Sequence, residues 1–296
     1  MANYPYLLID AFTDHPLGGN PCAVLLDTDD LDAATMQAIA REMNLSETSF
    51  VRASPTCEFG VRYFTPAEEI PLAGHPTIAT GYALWKAGRL KLDGPSTSVR
   101  FELIGGPIGV EVRAENGVAT QVVMTQRKPV FMATYTPEEV MPCFGLTADD
   151  ALPGVPIQTV STGTPQIMIP VKSQDALRRI RLDVPRCLAL RQRGDFFSMH
   201  LFCLGGVTEA GQTFARHFVV PPDNLEDAAT GSATGGMGAY LWRYGLVDAP
   251  RFTAEQGHWM GRPSIIGVEV VGPREDIETV KIAGAAVSVI TGTFTM

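Results

Sequence analysis

Positive charge is scarce in this chain. Its 296 residues carry 23 Lys and Arg against 32 Asp and Glu, a net charge of −9. That balance argues against nucleic acid as a partner, because phosphate binding needs clustered cations. No window approaches the roughly 20 apolar residues of a membrane span. The five cysteines, Cys22, Cys57, Cys143, Cys187 and Cys203, are scattered and odd in number, with no C-x-x-C pair. This argues against a zinc or thioredoxin-type site and points to reduced thiols in a cytoplasmic protein. The opening "MANYPYLLIDAFTDH" has no basic segment ahead of an apolar run, so no secretion signal is expected. The patterns G-x-x-x-x-G-K-[ST] and H-E-x-x-H are missing, and no glycine group fits a dinucleotide fingerprint. No cofactor and no metal are therefore expected.

What is present is an internal echo. "GHPTIATGYALWKAG" (74–88) and "GSATGGMGAYLWRYG" (231–245) align without gaps. Gly74/Gly231, Thr77/Thr234, Gly81/Gly238, Leu84/Leu241, Trp85/Trp242 and Gly88/Gly245 are identical, where chance would give about one match. Two distant copies imply a duplicated half, not a solenoid.

Local patterning supports an α+β reading. "YLLIDAF" and "CAVLLD" read as strands around a Gly-Gly-Asn-Pro turn. Met36, Ile39, Ala40 and Met43 mark a helix that Asp30 or Asp32 can cap. "TSFVRA" and "FGVRYFTP" read as extended. After Pro76 a helical period (Ile78, Tyr82, Trp85) runs to Gly88. "IGVEVRA" and "VATQVVM" read as strands, and Pro129 to about Pro156 as irregular apart from a short helix at "PEEVMPCFG". "PIQTV" and "QIMIPV", the helix "SQDALRRI", and the strands "FFSMHLFCL" and "TFARHFVV" then lead to the second glycine helix. Arg-x-Phe precedes each glycine helix. The order implies two pseudo-symmetric α+β domains with a boundary near Arg127. The first covers 1–126 plus a returning C-terminal strand at about 284–296, and the second covers 127–283.

Each echo places a glycine-rich loop at a helix start. The first N–H groups there lack intrahelical partners and carry the positive end of the dipole, so they suit an anion. If the two ends face each other, the cleft between domains holds a small carboxylate-bearing substrate. His75 reads either as a proton-transfer partner or as a helix-start histidine bonded to backbone. Glu226 and Asp227 precede the second helix and could simply be caps or dipole partners. Ser232 could bind an anion or cap. Glu47, between a helix and a strand, carries no mark of catalysis from spacing alone.

Five stretches, "DAFTDHPLGGNPCAV", "MQAIAREMNLSETSFV", "RYFTPAEEIPLAGHPT", "EDAATGSATG" and "GHWMGRPSIIGVEV", are similar, in this order, to the PhzF-like phenazine-biosynthesis family, which shares the diaminopimelate epimerase fold. The resemblance covers nearly the whole chain. It implies two similar domains, each a mostly antiparallel sheet wrapped around a central helix, with the active site between them. It implies that Glu47 of "NLSET" is the acid/base, that His75 and Asp227 are catalytic and hold or relay protons at the substrate's polar substituents, and that Gly74, Gly231 and Ser232 bind the substrate. Ala228 stands where the family typically has Pro. The related epimerases use two cysteines, and the corresponding positions here, Ala73 and Ala228, cannot transfer a proton. The resemblance therefore implies a cofactor-independent isomerase with one carboxylate, and a homodimer; the family's namesake substrate is trans-2,3-dihydro-3-hydroxyanthranilate. A non-catalytic binding protein for a small anionic metabolite is the competing reading.

Overall fold

Asp32 supplies the helix start that the sequence implies. Its side chain accepts from Thr35 N at 2.8 Å and caps α1 (Ala33–Met43), which buries Met36, Ile39 and Ala40. Asn44, at φ 51°, ends the helix and turns the chain toward Glu47. The computed structural model describes residues 1–221 and 225–296.

The first half contains β1 (Asn3–Ala11), β2 (Asn20–Leu25), α1, β3 (Thr48–Arg52), β4 (Phe59–Phe64), β5 (Glu69–Ile70), α2 (Gly74–Lys86), β6 (Ser96–Leu103), β7 (Gly106–Glu115) and β8 (Val118–Thr125). The second contains β9 (Val130–Tyr135), α3 (Pro137–Val140), β10 (Ile157–Ser161), β11 (Pro165–Pro170), α4 (Gln174–Arg179), α5 (Val184–Arg193), β12 (Ser198–Leu204), β13 (Thr213–Phe218), β14 (Glu226–Asp227), α6 (Gly231–Arg243), β15 (Arg251–Gln256), β16 (Ser264–Val271) and β17 (Thr279–Gly284), and β18 (Ala286–Thr295) closes the chain.

The two halves repeat one pairing scheme. In the first, β1–β2 is antiparallel, β2–β3 parallel, β3–β4 and β4–β5 antiparallel, and β4–β6 parallel. In the second, β10–β11, β11–β12, β12–β13, β13–β14 and β13–β15 repeat those senses in that order. β18 returns to pair with β1, as β9 pairs with β10, and β17 pairs with β8 to join the halves. The fold is thus α+β with internal pseudo-symmetry.

Side chains follow the same symmetry. Arg62 grips both oxygens of Glu69 and lies over Phe64, and Arg216 does the same with Glu226 and Phe218. Register carries the equivalence further. Thr48 pairs with Phe64, which pairs with Glu69; Met199 pairs with Phe218, which pairs with Glu226. One step along each strand, Glu47 corresponds to Ser198, Tyr63 to His217 and Ile70 to Asp227.

Each sheet wraps one helix: α2 packs on β1, β2, β7 and β8, and α6 on β10, β11, β16 and β17. Both helices are buried nearly all round, not along one stripe. Gly81 and Gly238 allow this, because a Cβ there would stand 2.8 Å from Val122 Cγ1 and 2.6 Å from Val268 Cγ1. One expectation needs correction, and one helix has no counterpart in the sequence reading. The stretch from Pro129 is not wholly irregular, since it holds β9, an edge strand with no buried face. Helix α5 carries little sequence signal because only Cys187 and Leu190 of its ten residues are buried.

Candidate active site

The glycine-started helices meet head to head. A cavity of about 330 Å³ opens between them, lined by Ala73, Gly74 and His75 at the start of α2 and by Thr230, Gly231 and Ser232 at the start of α6. Neither helix has a side-chain cap: Ala73 has none to offer, and Thr230 does not bond the first turn. The first-turn N–H groups of both helices therefore remain available to a bound anion. Thr77 and Thr234 bond back to Ala73 O and Thr230 O, at 2.6 and 3.0 Å, in matching geometry. Thr230, not Ala228, stands opposite Ala73 in this symmetry, and neither position carries a thiol.

Glu47 lines the same cavity, its carboxylate Oε2 3.4 Å from His75 Nε2. His75 is buried, and its Nδ1 lies 3.0 Å from Asn20 Nδ2. An amide nitrogen has only hydrogens to give, so Nδ1 accepts and the ring proton sits on Nε2, facing Glu47. Burial pushes the His75 pKa down to about 3. The imidazole is therefore neutral near pH 7, and its contact with Glu47 joins an N–H dipole to a carboxyl group without forming an ion pair.

Asp227 is not a helix cap. Its Oδ1 accepts from Asn20 Nδ2 at 2.7 Å and Ser46 Oγ at 3.1 Å, and its Oδ2 from Thr230 Oγ1 at 2.5 Å. Burial raises its pKa, although these hydrogen bonds pull the other way. Asn20 Nδ2 also donates to Ala229 O at 2.9 Å. Two hydrogens thus serve three acceptors and couple His75 to Asp227 across the boundary between the halves. The amide cannot be reversed, because its oxygen would then face two other oxygens.

Ser232 accepts from Gln166 Nε2 at 3.0 Å, which leaves its own hydroxyl proton for a ligand. Behind the site, Arg262 clamps the turn that presents Asn20: it donates to Asp10 Oδ1 at 2.6 Å, Gly18 O at 2.7 Å and Gly19 O at 2.8 Å. Asp10 is buried, and its Oδ2 accepts from Leu17 N.

The structure therefore brings Glu47, Gly74, His75, Asp227, Gly231 and Ser232 to one cavity. It adds Asn20, which touches His75 and Asp227 from outside the lining, and Ser46, Gln166, Ser198 and His217 within the lining; sequence reasoning singles out none of them. The Gly-Gly-Asn-Pro turn and the serine beside Glu47 are the only local signals for the first two. Among the described residues, no group of three or more His, Cys, Asp or Glu is placed to hold a metal ion. Among them, too, no helix is long and apolar enough to cross a membrane.

A family model described as phenazine biosynthesis-like protein matches residues 9–292. The chain belongs to that family. Trans-2,3-dihydro-3-hydroxyanthranilate isomerase of Pseudomonas chlororaphis is 33% identical over 297 residues, covering 98% of this chain and 99% of that one. An uncharacterized isomerase of Bacillus subtilis is 33% identical over 269 residues, 89% of each chain. A solved PhzF-family protein of Bacillus anthracis matches 100% of both chains at 31% identity and TM-score 0.88. A hydroxyproline epimerase from Agrobacterium vitis, 12% identical, shares the fold at TM-score 0.70, over 98% of this chain and 92% of that one. The chain is accordingly an isomerase of the phenazine biosynthesis-like family, and the reading as a non-catalytic binding protein is set aside.

Proposed function

We propose that the protein moves a proton within a small carboxylate-bearing substrate without a cofactor, using Glu47 as its single acid/base. The substrate carboxylate lies against the N–H groups of Gly74 and Gly231 and the Ser232 hydroxyl. Glu47 takes a proton from an activated C–H. The bonding pair moves into the conjugated system toward the carboxylate, where the two helix ends stabilise the developing charge. The protonated Glu47 then returns the proton to another carbon on the same face and regenerates its carboxylate. His75 faces Glu47 with its Nε2–H at 3.4 Å from Oε2, and Asp227 anchors Asn20, which holds the imidazole tautomer.

One observation carries this reading: the position related to Glu47 by internal symmetry is Ser198, which has no acid/base to offer. Of the other carboxylates lining the cavity among the described residues, Asp227 is held by donors on both oxygens, Glu69 by Arg62, and Glu68 is exposed to solvent. The relative's name, trans-2,3-dihydro-3-hydroxyanthranilate isomerase, is that of an isomerase, and we extend that reaction type, not its substrate, to this chain. We also propose a homodimer, which light scattering would check. The test of function is deuterium uptake from heavy water into a panel of small unsaturated carboxylates. Uptake by the wild type that Glu47→Gln abolishes supports the proposal; equal uptake by both proteins overturns it.

A further inference from the structure

Beyond the acid/base, and resting on the same reading of the cavity, we infer that His217 is a substrate-binding hydrogen-bond donor on the wall of the second half, and that His200 is the positioning residue that fixes its proton. The two side chains are direct cross-strand partners in the antiparallel pair β12–β13, and both are buried. His217 lines the cavity and His200 does not. Internal symmetry sets the position apart, because the equivalent of His217 is Tyr63. The Tyr63 hydroxyl bonds Thr77 Oγ1 at 2.9 Å, and Tyr63 stays out of the cavity lining. Thr234, the counterpart of Thr77, bonds Thr230 O and not His217, and the smaller imidazole is left facing the cavity. One position thus serves packing in the first half and meets the ligand space in the second.

The imidazole pair has a fixed proton order. His217 Nδ1 lies 3.2 Å from His200 Nδ1. Burial lowers the His217 pKa to about 3 and the His200 pKa well below its usual value, so both rings are neutral near pH 7 and each carries one proton. The contact needs one proton between the two nitrogens, since two would clash and none would set lone pair against lone pair. A half-turn of the His217 ring would lose the bond and put a carbon against His200 Nδ1. His200 Nε2 is sealed in the interior with no partner. A buried N–H without an acceptor is the rarer defect, so the His200 proton sits on Nδ1 and is donated to His217. The His217 proton is then on Nε2, for which no described residue supplies an acceptor, on a ring that meets the cavity. His75 is ordered in the same way: its Nδ1 accepts from Asn20, and its Nε2–H is left for the site. An Nε2–H can only donate, so the substrate places an acceptor atom against His217. The side chain binds and does not titrate, and Glu47 remains the single acid/base.

The test has two readouts on the wild type. Long-range 1H–15N spectra of assigned, 15N-histidine-labelled protein report which ring nitrogens carry protons; they should place the His217 proton on Nε2 and the His200 proton on Nδ1. Calorimetric titration at pH 7.5 with benzoate and with pyridine-2-, -3- and -4-carboxylate compares acids of one shape, three of which carry a ring nitrogen that only accepts. At least one of the three should bind about three- to tenfold tighter than benzoate, the net worth of one hydrogen bond, and should shift the His217 Nε2 resonance. His217→Phe should bring that ratio toward one, read on protein whose thermal melt shows it folded. His200→Asn, an amide placed as Asn20 is for His75, should keep the Nε2–H form of His217 and the preference. His200→Leu should lose the single tautomer; if it keeps it, His200 has no positioning role. A His217 proton on Nδ1, no acceptor preference in the wild type, or a preference that survives in folded His217→Phe overturns the proposal. Both wild-type readouts stand without a variant, so a misfolded mutant leaves the proposal open to refutation. Glu47-dependent deuterium uptake with no acceptor preference removes His217 from substrate binding and leaves the proton transfer in place. An acceptor preference that His217→Phe abolishes, with no deuterium uptake by the wild type, keeps the His217 site and removes the proton-transfer reading.

Discussion

Gly74 and Gly231 touch backbone to backbone: a Cβ on Gly74 would lie 2.6 Å from Ser232 N and 2.7 Å from Gly231 Cα. This contact brings two positive helix ends to one cavity, and it depends on the absence of a methyl group. Gly74→Ala should therefore destabilise by about 1–3 kcal/mol, the cost of overpacking a tight core, and should lower turnover by parting the helix ends. Gly231→Ala should be milder, because its Cβ would first meet the Phe12 ring, at 2.9 Å, and the Gly74 Cα only at 3.2 Å. Thermal melts and turnover of both variants check the order.

Glu47→Gln keeps the shape of the side chain and removes its basicity. Turnover should fall by ~10²–10⁴, the worth of one positioned acid/base. Binding of a non-reacting carboxylate should change far less, since the proposed reading gives the anion to the helix N–H groups and not to Glu47. A drop in turnover of less than tenfold would count against the assignment.

Asn20→Ala should uncouple His75 from Asp227. Removing the amide leaves a buried carboxylate short of one donor, a loss of roughly 1–3 kcal/mol, and frees the imidazole to change tautomer. The effect should fall on kcat more than on KM, because Asn20 touches His75 and Asp227 and does not line the cavity. An unaltered kcat would remove Asn20 from the mechanism.

Acid should destabilise the fold through its buried imidazoles. His75 and His217 are lowered to about 3 and His200 well below its usual value, chiefly by burial. The folded chain refuses protons that the unfolded chain accepts as pH falls through about 6.5, so stability is lost below that point. Each such histidine contributes up to about 1.4 kcal/mol per pH unit. Asp227, whose folded pKa is raised, works in the opposite direction. The net expectation is a lower urea midpoint at pH 5 than at pH 7.5. His200→Gln, away from the cavity, should shrink that difference; a flat profile would show the imidazoles to be solvated.

Much of the plan is legible because it is local. Helix α1 shows its period and its Asp32 cap within one stretch of chain. The paired glycine helices show themselves as two copies of one segment. The motif around "NLSET" carries Glu47 by resemblance, although spacing gives it no catalytic mark. Tyr82 and Trp85 suggest a one-sided helix, whereas α2 is enclosed, a property of the sheet around it and not of its own period. β9 escapes a sequence reading because an edge strand with no buried face needs no alternation.

By itself, the order of residues determined the duplicated halves, the two helix starts and the carboxyl group at position 47, since each is written in neighbours a few residues apart. Only the tertiary structure decided that Asn20 would bond Asp227, 207 residues away, that Gln166 would hold Ser232, and that Ser198 would stand where symmetry calls for a second Glu47. The reason is physical: such a hydrogen bond becomes a requirement only once sheets closing around two helices have removed water from those side chains, and no local pattern records which strands will do the closing.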